Sequence, residues 1–203
     1  MEEPVPEGQR YIEKFILYSA LDEPDVDMDA YTLTVFGQTE KRVSFSYRDL
    51  MEMEHIRYTK DFHCVTGWSI RDVKWEGVSL KKLIEMAGPE GDPKWVMFHC
   101  MDEYSAPVPY EDAMGDDSIV ALIMDGKPIP QESGFPARPF IPHLYGWKSA
   151  KWLNGIEIMQ DYEEGYWELR GYHSRGNVWE NERFKSLFGR HLKHSPMKKR
   201  EQQ

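Results

Sequence analysis

The chain has 203 residues, enough to bury a sizeable core, and it is 40% apolar and 13% aromatic, which excludes a disordered polymer. A formal charge of −10 argues against general nucleic-acid binding, and a mean hydropathy of −0.66 without a long apolar run argues against any membrane span. Two cysteines make no disulfide framework in a chain this long and point to a reducing compartment.

The opening MEEPVPEGQR is acidic and Pro-rich. It lacks a basic stretch followed by an apolar one, so the expected location is cytoplasmic. YTLTVF (31–36) alternates as a half-buried strand does, and Gly37 ends it. FSYRDLMEM (45–53) reads as a short helix capped by Ser46. VSLKKLIEMAGP (78–89) is the clearest helix: Ser79 caps it, Leu80, Leu83, Ile84 and Ala87 share a face, and Gly88-Pro89 stops it. KWVMFHC (94–100) reads as a buried strand. SIVALIMDGKPIP (118–130) reads as a strand entering an Asp125-Gly126 hairpin turn. WLNGIEIM (152–159) is a further strand. From about 160 onward aromatic and polar residues mix as in a loop-rich extension packed on the surface. The closing KSLFGRHLKHSPMKKR is basic, either a solvated helix end or a contact for an anionic partner.

No βαβ period is sustained, and no repeat, low-complexity segment or linker interrupts the chain. The expected fold class is α+β, a mainly β mixed sheet with short helices, in a single domain spanning 1–203.

Three stretches carry chemistry. In DFHCVTGWS (61–69), Cys64 follows His63 and precedes a tight turn at Gly67, with Trp68 and Ser69 beyond. A lone cysteine is often core filler, but a thiolate among donors also suits a soft metal. Zinc fits poorly, because no second Cys or His stands at finger spacing. In FIPHLYGWKSAKW (140–152), Lys148, Ser149 and Lys151 follow Gly146, with Arg138 and His143 upstream. Cations, a hydroxyl and loop amides at a glycine can enclose a phosphate monoester, or the loop can be basic surface with Trp147 and Trp152 turned inward. In MDEYSAPVPYEDAM (101–114), Tyr104 lies in a Pro-flanked turn after Cys100. Its phenol can move a proton beside a redox centre or rest on a backbone carbonyl. Cys100 invites a disulfide with Cys64 that a reducing compartment disfavours.

Several motifs in order, HCVTGWS, WEGVSLKKLIEMAG, YSAPVPYEDAM and ALIMDGKPIPQESGFPARPFIPHLYGWKSAKWLNGIEI, resemble the molybdopterin-binding oxidoreductases of the sulfite oxidase fold. The resemblance runs from about Gly8-Gln9 to Phe184, and the close GYWELRGYHSRGNVWENERF is similar to that of short prokaryotic members. It implies that Cys64 is the thiolate ligand of molybdenum. It implies that Arg138 lies near the pterin, and that Ser149, Ala150 and Lys151, with Lys148 beside them, receive its phosphate. Cys100 falls where a related reductase has a threonine near the cofactor, and Tyr104 is similar to the active-site tyrosine of sulfite oxidases. The cofactor implied is one molybdenum on one molybdopterin per chain. The reaction implied is two-electron oxygen-atom transfer between a small substrate and water, with electrons exchanged through a separate redox protein, because no haem or iron–sulfur ligand set is present. The chain departs from sulfite oxidases around the cysteine: Arg57 is the one arginine just upstream, and none follows until Arg71. Two other readings stand beside this one, a non-catalytic cofactor-binding homologue and a hydrolase or transferase with Cys64 as nucleophile.

Overall fold

Strands dominate, and they fall into two sheets rather than one. The structure, a computed structural model, describes residues 5–185. All of the basic C-terminal run except Lys185 lies outside the described residues. The elements in chain order are β1 (Arg10–Tyr11), β2 (Thr32–Gly37), β3 (Val43–Ser46), α1 (Tyr47–Glu52), β4 (His55–His63), β5 (Trp68–Ser79), α2 (Leu80–Ala87), β6 (Trp95–Cys100), β7 (Ser105–Pro109), α3 (Tyr110–Ala113), β8 (Ile119–Met124), β9 (Lys127–Pro128), β10 (Arg138–Phe140) and β11 (Leu153–Met159).

The first sheet is built on β5, whose twelve residues outlast any single partner. β4 runs antiparallel along one edge, from His55 opposite Val78 to His63 opposite Ser69. β8 pairs antiparallel with the Trp75–Ser79 part of β5, while β1 pairs parallel with Trp68 and Ser69. β10 and β9 complete the sheet on β8. The second sheet has the order β3-β2-β11-β6-β7, antiparallel except for the β2–β11 pair. The mixed, mainly antiparallel α+β class read from the sequence therefore holds, distributed over two sheets.

The local signals act as their chemistry requires. Ser46 and Asp49 form a reciprocal capping box at the start of α1. Ser79 Oγ accepts from Lys82 N at 3.2 Å, and Gly88 closes α2 in the left-handed region at φ +69°. The four apolar residues of α2 are fully buried in one core with β2, β6, β7 and β11. Each large aliphatic side chain there contributes about 1.5–3 kcal/mol. Asp125 and Gly126 both have positive φ, as a tight hairpin between β8 and β9 needs.

The β4–β5 hairpin is the element that sequence periodicity missed. Its outward residues are charged, and its buried set along β5 is broken by a register shift between Glu76 and Gly77. At that shift β5 and β8 come unusually close. A Cβ on Gly77 would stand 2.0 Å from Val120 O and 2.7 Å from Ala121 Cα, so any side chain forces two backbones apart. We expect Gly77→Ala to destabilise the fold by at least about 2 kcal/mol, read as a lowered midpoint in chemical denaturation with the m-value retained.

Candidate active site

Cys64 sits at the tip of the β4–β5 hairpin. Its N–H donates to Trp68 O at 2.8 Å, and Gly67 N–H donates back to Cys64 O at 3.0 Å. Gly67, at φ +95°, lets the chain close this loop. The loop is then tied from outside. Gln9 Nε2 donates to Cys64 O at 3.1 Å, Arg10 N–H donates to Gly67 O at 3.1 Å, and the buried Arg183 donates to Val65 O. Distant parts of the chain thus hold one short loop. The thiol is half-buried, and its hydrogen-bond partner is Thr66 Oγ1 at 3.2 Å.

That thiol opens into a cavity of about 340 Å³. Phe62 and Trp68 flank it, and the segment between β10 and β11 forms the facing wall with Gly146, Ser149 and Lys151. Close approach of the two walls depends on Gly146: a Cβ there would stand 2.3 Å from Phe62 Cζ. Arg138 lines the same cavity and is buried. It donates through Nε to Ser149 Oγ at 2.9 Å, through Nη1 to Ser133 O at 2.7 Å and through Nη2 to Ser149 O at 2.7 Å. Its guanidinium lies 5.5 Å over the Phe62 ring. Lys151 Nζ donates to Glu132 O at 2.7 Å and Ser19 Oγ at 3.0 Å. Among the described residues neither cation forms an ion pair with a carboxylate.

The electrostatics follow from that arrangement. Burial lowers Arg138 to about 10, against the pull of Cys100 and Tyr104. Burial and then the neighbouring Arg138 lower Lys151 to about 8, against Glu23, Asp102 and Glu132. Two cations lowered by burial, one of them also by the other, line a cavity in which a bound anion would favour their charged forms.

The other residues singled out in the sequence are placed as follows. Tyr104 lines the cavity, but its hydroxyl is committed, donating to Trp147 O at 2.6 Å, and burial pushes the phenol well above its usual range. Lys148 is turned away from the cavity. Its ammonium is 1% exposed and donates to Glu168 Oε1 at 2.7 Å, Pro107 O at 2.6 Å and Ser174 O at 2.5 Å. All three of its protons are used within the protein. His143 is also turned away from the cavity, its Nε2 3.0 Å from Asp112 Oδ1. Cys100 is buried in the core on β6 outside the cavity lining, and burial raises its thiol well above the usual value. Both cysteines are free.

Sequence reasoning missed the segment Phe15 to Ala20, which crosses the cavity mouth without regular structure. Its Ile16, Leu17 and Tyr18 are each more than half exposed. An apolar FILY run outside any strand was the available signal. It also missed Trp167 and Tyr172 from the C-terminal extension, which pack together at 4.8 Å and close another side.

Comparison with known proteins agrees with this architecture. The family described as Oxidoreductase molybdopterin binding domain matches residues 20–167. The chain is 36% identical over 181 residues to an oxidoreductase of Bacillus subtilis, YuiH, described as uncharacterized, covering 89% of this chain and 91% of that protein. It is 28% identical to human mitochondrial sulfite oxidase over 84% of this chain and 37% of that one. It is also 28% identical to a putative protein-methionine-sulfoxide reductase subunit of Azospira oryzae, YedZ1, over 73% of this chain and 56% of that one. The chain thus spans about half or less of the latter two relatives. The crystal structure of the sulfane dehydrogenase SoxCD from Paracoccus pantotrophus shares the fold, with a TM-score of 0.65 at 22% identity over 73% of this chain and 42% of that one. The chain belongs to the molybdopterin-binding oxidoreductases of the sulfite oxidase type.

The Lys148–Glu168 pair is a buried ion pair behind the cavity wall. Glu168 is fully buried and also accepts from Trp147 Nε1 at 2.8 Å. Glu168→Ala leaves a buried ammonium without its counter-charge and is expected to cost about 3–5 kcal/mol in chemical denaturation. Adding Lys148→Met should recover most of that loss, because the two changes act on one interaction.

Proposed function

We propose that the chain is a single domain in which one cavity holds one molybdenum on one molybdopterin, with Cys64 as the protein's ligand to the metal. The observation that carries this reading is the convergence of the Cys64 thiol and two cations without carboxylate ion pairs on the same space. A soft anionic sulfur suits a high-valent metal that takes its remaining ligands elsewhere. Among the described residues no cluster of three His, Cys, Asp or Glu could chelate a metal by itself, which favours a metal delivered on an organic carrier. Arg138 and Lys151 suit a phosphate, a buried guanidinium and an ammonium whose charge an anion would complement, while Ser149 Oγ, donating to Pro139 O at 2.5 Å and accepting from Arg138 Nε, positions that guanidinium.

When bound, such a cofactor supplies two-electron chemistry coupled to oxygen-atom transfer. The chain's own residues do the rest. Phe62, Trp68 and the Phe15–Ala20 segment limit water at the thiol. Arg138 and Lys151 hold and orient the anionic end. Tyr104 positions the Trp147 backbone through its hydroxyl, and an open hydroxyl for moving a proton requires that bond to exchange. Lys148 supports the same wall from behind rather than touching the phosphate. The substrate is a small molecule entering past the apolar lip at Ile16 and Leu17.

Two outcomes test the reading. Cys64→Ser removes a thiol bound within the protein by one hydrogen bond, so its unfolding midpoint should stay within about 3 °C of wild type. The variant should lose turnover and the molybdenum–sulfur distance from the chain in X-ray absorption; an unchanged absorption spectrum would refute the ligand role. Cofactor uptake by metal-free protein should follow Lys151, whose pKa is lowered to about 8 in the protein alone. An anion binds the protonated lysine, so affinity should be flat below about pH 8 and fall above it, by up to about tenfold per unit while the bound-state pKa lies higher. Lys151→Ala should abolish that pH dependence and weaken uptake by roughly 1.5–3 kcal/mol, read from pterin fluorescence after oxidative release.

A further inference from the structure

The β4–β5 hairpin divides two cavities. Side chains alternate along β4, so His63 points away from the space that Cys64 faces. His63 looks into a second cavity of about 220 Å³, which opens on the other side of the hairpin. There His63 is 4% exposed, and its Nδ1 is 2.8 Å from Ser69 Oγ. Over it stands Trp179, ring edge to ring face at 6.1 Å and 72°, a residue that is itself 50% exposed. The backbone N–H of Trp179 donates to Asn177 Oδ1 at 2.9 Å.

A lone exposed tryptophan is unremarkable by itself. This one covers the residue covalently next to Cys64, and two carboxylates line the cavity it shares. Asp61 and Asp117 line the cavity with Lys60 and His143; Asp61 accepts from Tyr11 Oη and Asp72 N–H, and His143 lies 3.0 Å from Asp112 Oδ1. Asp116 and Glu180, next in sequence to Asp117 and Trp179, are exposed. The whole chain carries −10, so the surface complements a cationic partner.

We infer that the Trp179–His63 face is the docking surface for a basic one-electron carrier protein, and that electrons pass between that carrier and the cofactor cavity through the backbone between His63 and Cys64. The inference rests on the molybdenum reading above. In the oxidising direction, substrate and water yield oxygenated product, two protons and two electrons. Each of two oxidised carriers takes one electron, and the protons pass to solvent. Substrate and carrier then use opposite sides of one hairpin and do not compete for the cavity mouth. Trp179 supplies the kind of aromatic anchor that dominates small interfaces, and the acidic rim supplies steering.

The test uses the full chain and commercial cytochrome c, a basic haem protein, as the probe. Without cofactor, at about 10 mM salt, where charges are little screened, wild type should bind the probe in a calorimetric titration. Trp179→Ala and Asp117→Lys should each weaken binding by about tenfold or more. In stopped flow, dithionite-reduced and desalted holoenzyme should reduce cytochrome c about tenfold more slowly in Trp179→Ala, with Trp179→Phe within roughly threefold of wild type. The rate with the small dye dichlorophenolindophenol should be the same in all three. Wild-type binding retained in Trp179→Ala overturns the surface, as does an equal loss toward dye and protein, which would place the effect in the cavity. Failure of the molybdenum reading shows separately, as protein lacking metal and pterin on elemental and fluorescence analysis, while the titration still decides whether the surface binds.

Discussion

Everything in the cavity depends on how closely the segment after β10 lies against the Cys64 hairpin. The contact is Gly146 on the ring of Phe62, two residues before Cys64, and no side chain fits between them. From that contact the walls diverge enough to leave the cavity, with the thiol on one and Ser149 and Lys151 on the other. The hairpin wall is fixed by hydrogen bonds from Gln9, Arg10 and Arg183, and the facing wall by Arg138 and by Tyr104 on Trp147 O. Precision at the thiol is thus imposed from several distant parts of the chain, as a site built on loops requires.

Lysines 148 and 151 show why residue type alone does not assign a role. They stand three apart in one short segment, and by composition either could meet a phosphate. The turn at Gly146–Lys148 points one inward, where Glu168, Pro107 O and Ser174 O satisfy each of its protons. The other keeps access to the cavity beside Arg138, hydrogen-bonded to a carbonyl and a hydroxyl and 5.1 Å over the Trp152 ring. A buried cation needs a partner, and the fold provides one for the first. For the second and for Arg138 the charge is left facing the cavity. That contrast, rather than the count of basic residues, is the electrostatic mark of an anion site.

Much of the fold was legible in the sequence because local chemistry and tertiary packing agree there. Ser46, Ser79, Gly88 and the Asp125-Gly126 pair behave as caps and turn residues do in isolation. The β6, β8 and β11 strands are apolar enough to read as buried. The β4–β5 hairpin was not legible, since charged outward residues and a register shift blur its period, although it carries Cys64. Of the site, Cys64, Arg138, Ser149, Lys151 and Tyr104 do line one cavity, whereas Lys148, His143 and Cys100 face elsewhere. Which way a side chain turns depends on partners twenty or more residues away, such as Asp112 for His143 and Glu168 for Lys148. No local pattern encodes those partners.

The two-sided hairpin suggests why His63 directly precedes Cys64. A residue at the tip of a strand has one neighbour on the opposite face by the geometry of the pleat alone. A charged or flexible side chain there would bring water to the back of the thiol. A buried imidazole fixed by Ser69 Oγ, with burial lowering its pKa, stays neutral and in place while remaining aromatic and polarisable. The same residue therefore backs the Cys64 loop and carries the chain from Cys64 to the ring of Trp179. An aliphatic residue would meet the first requirement but leave Trp179 without its ring partner.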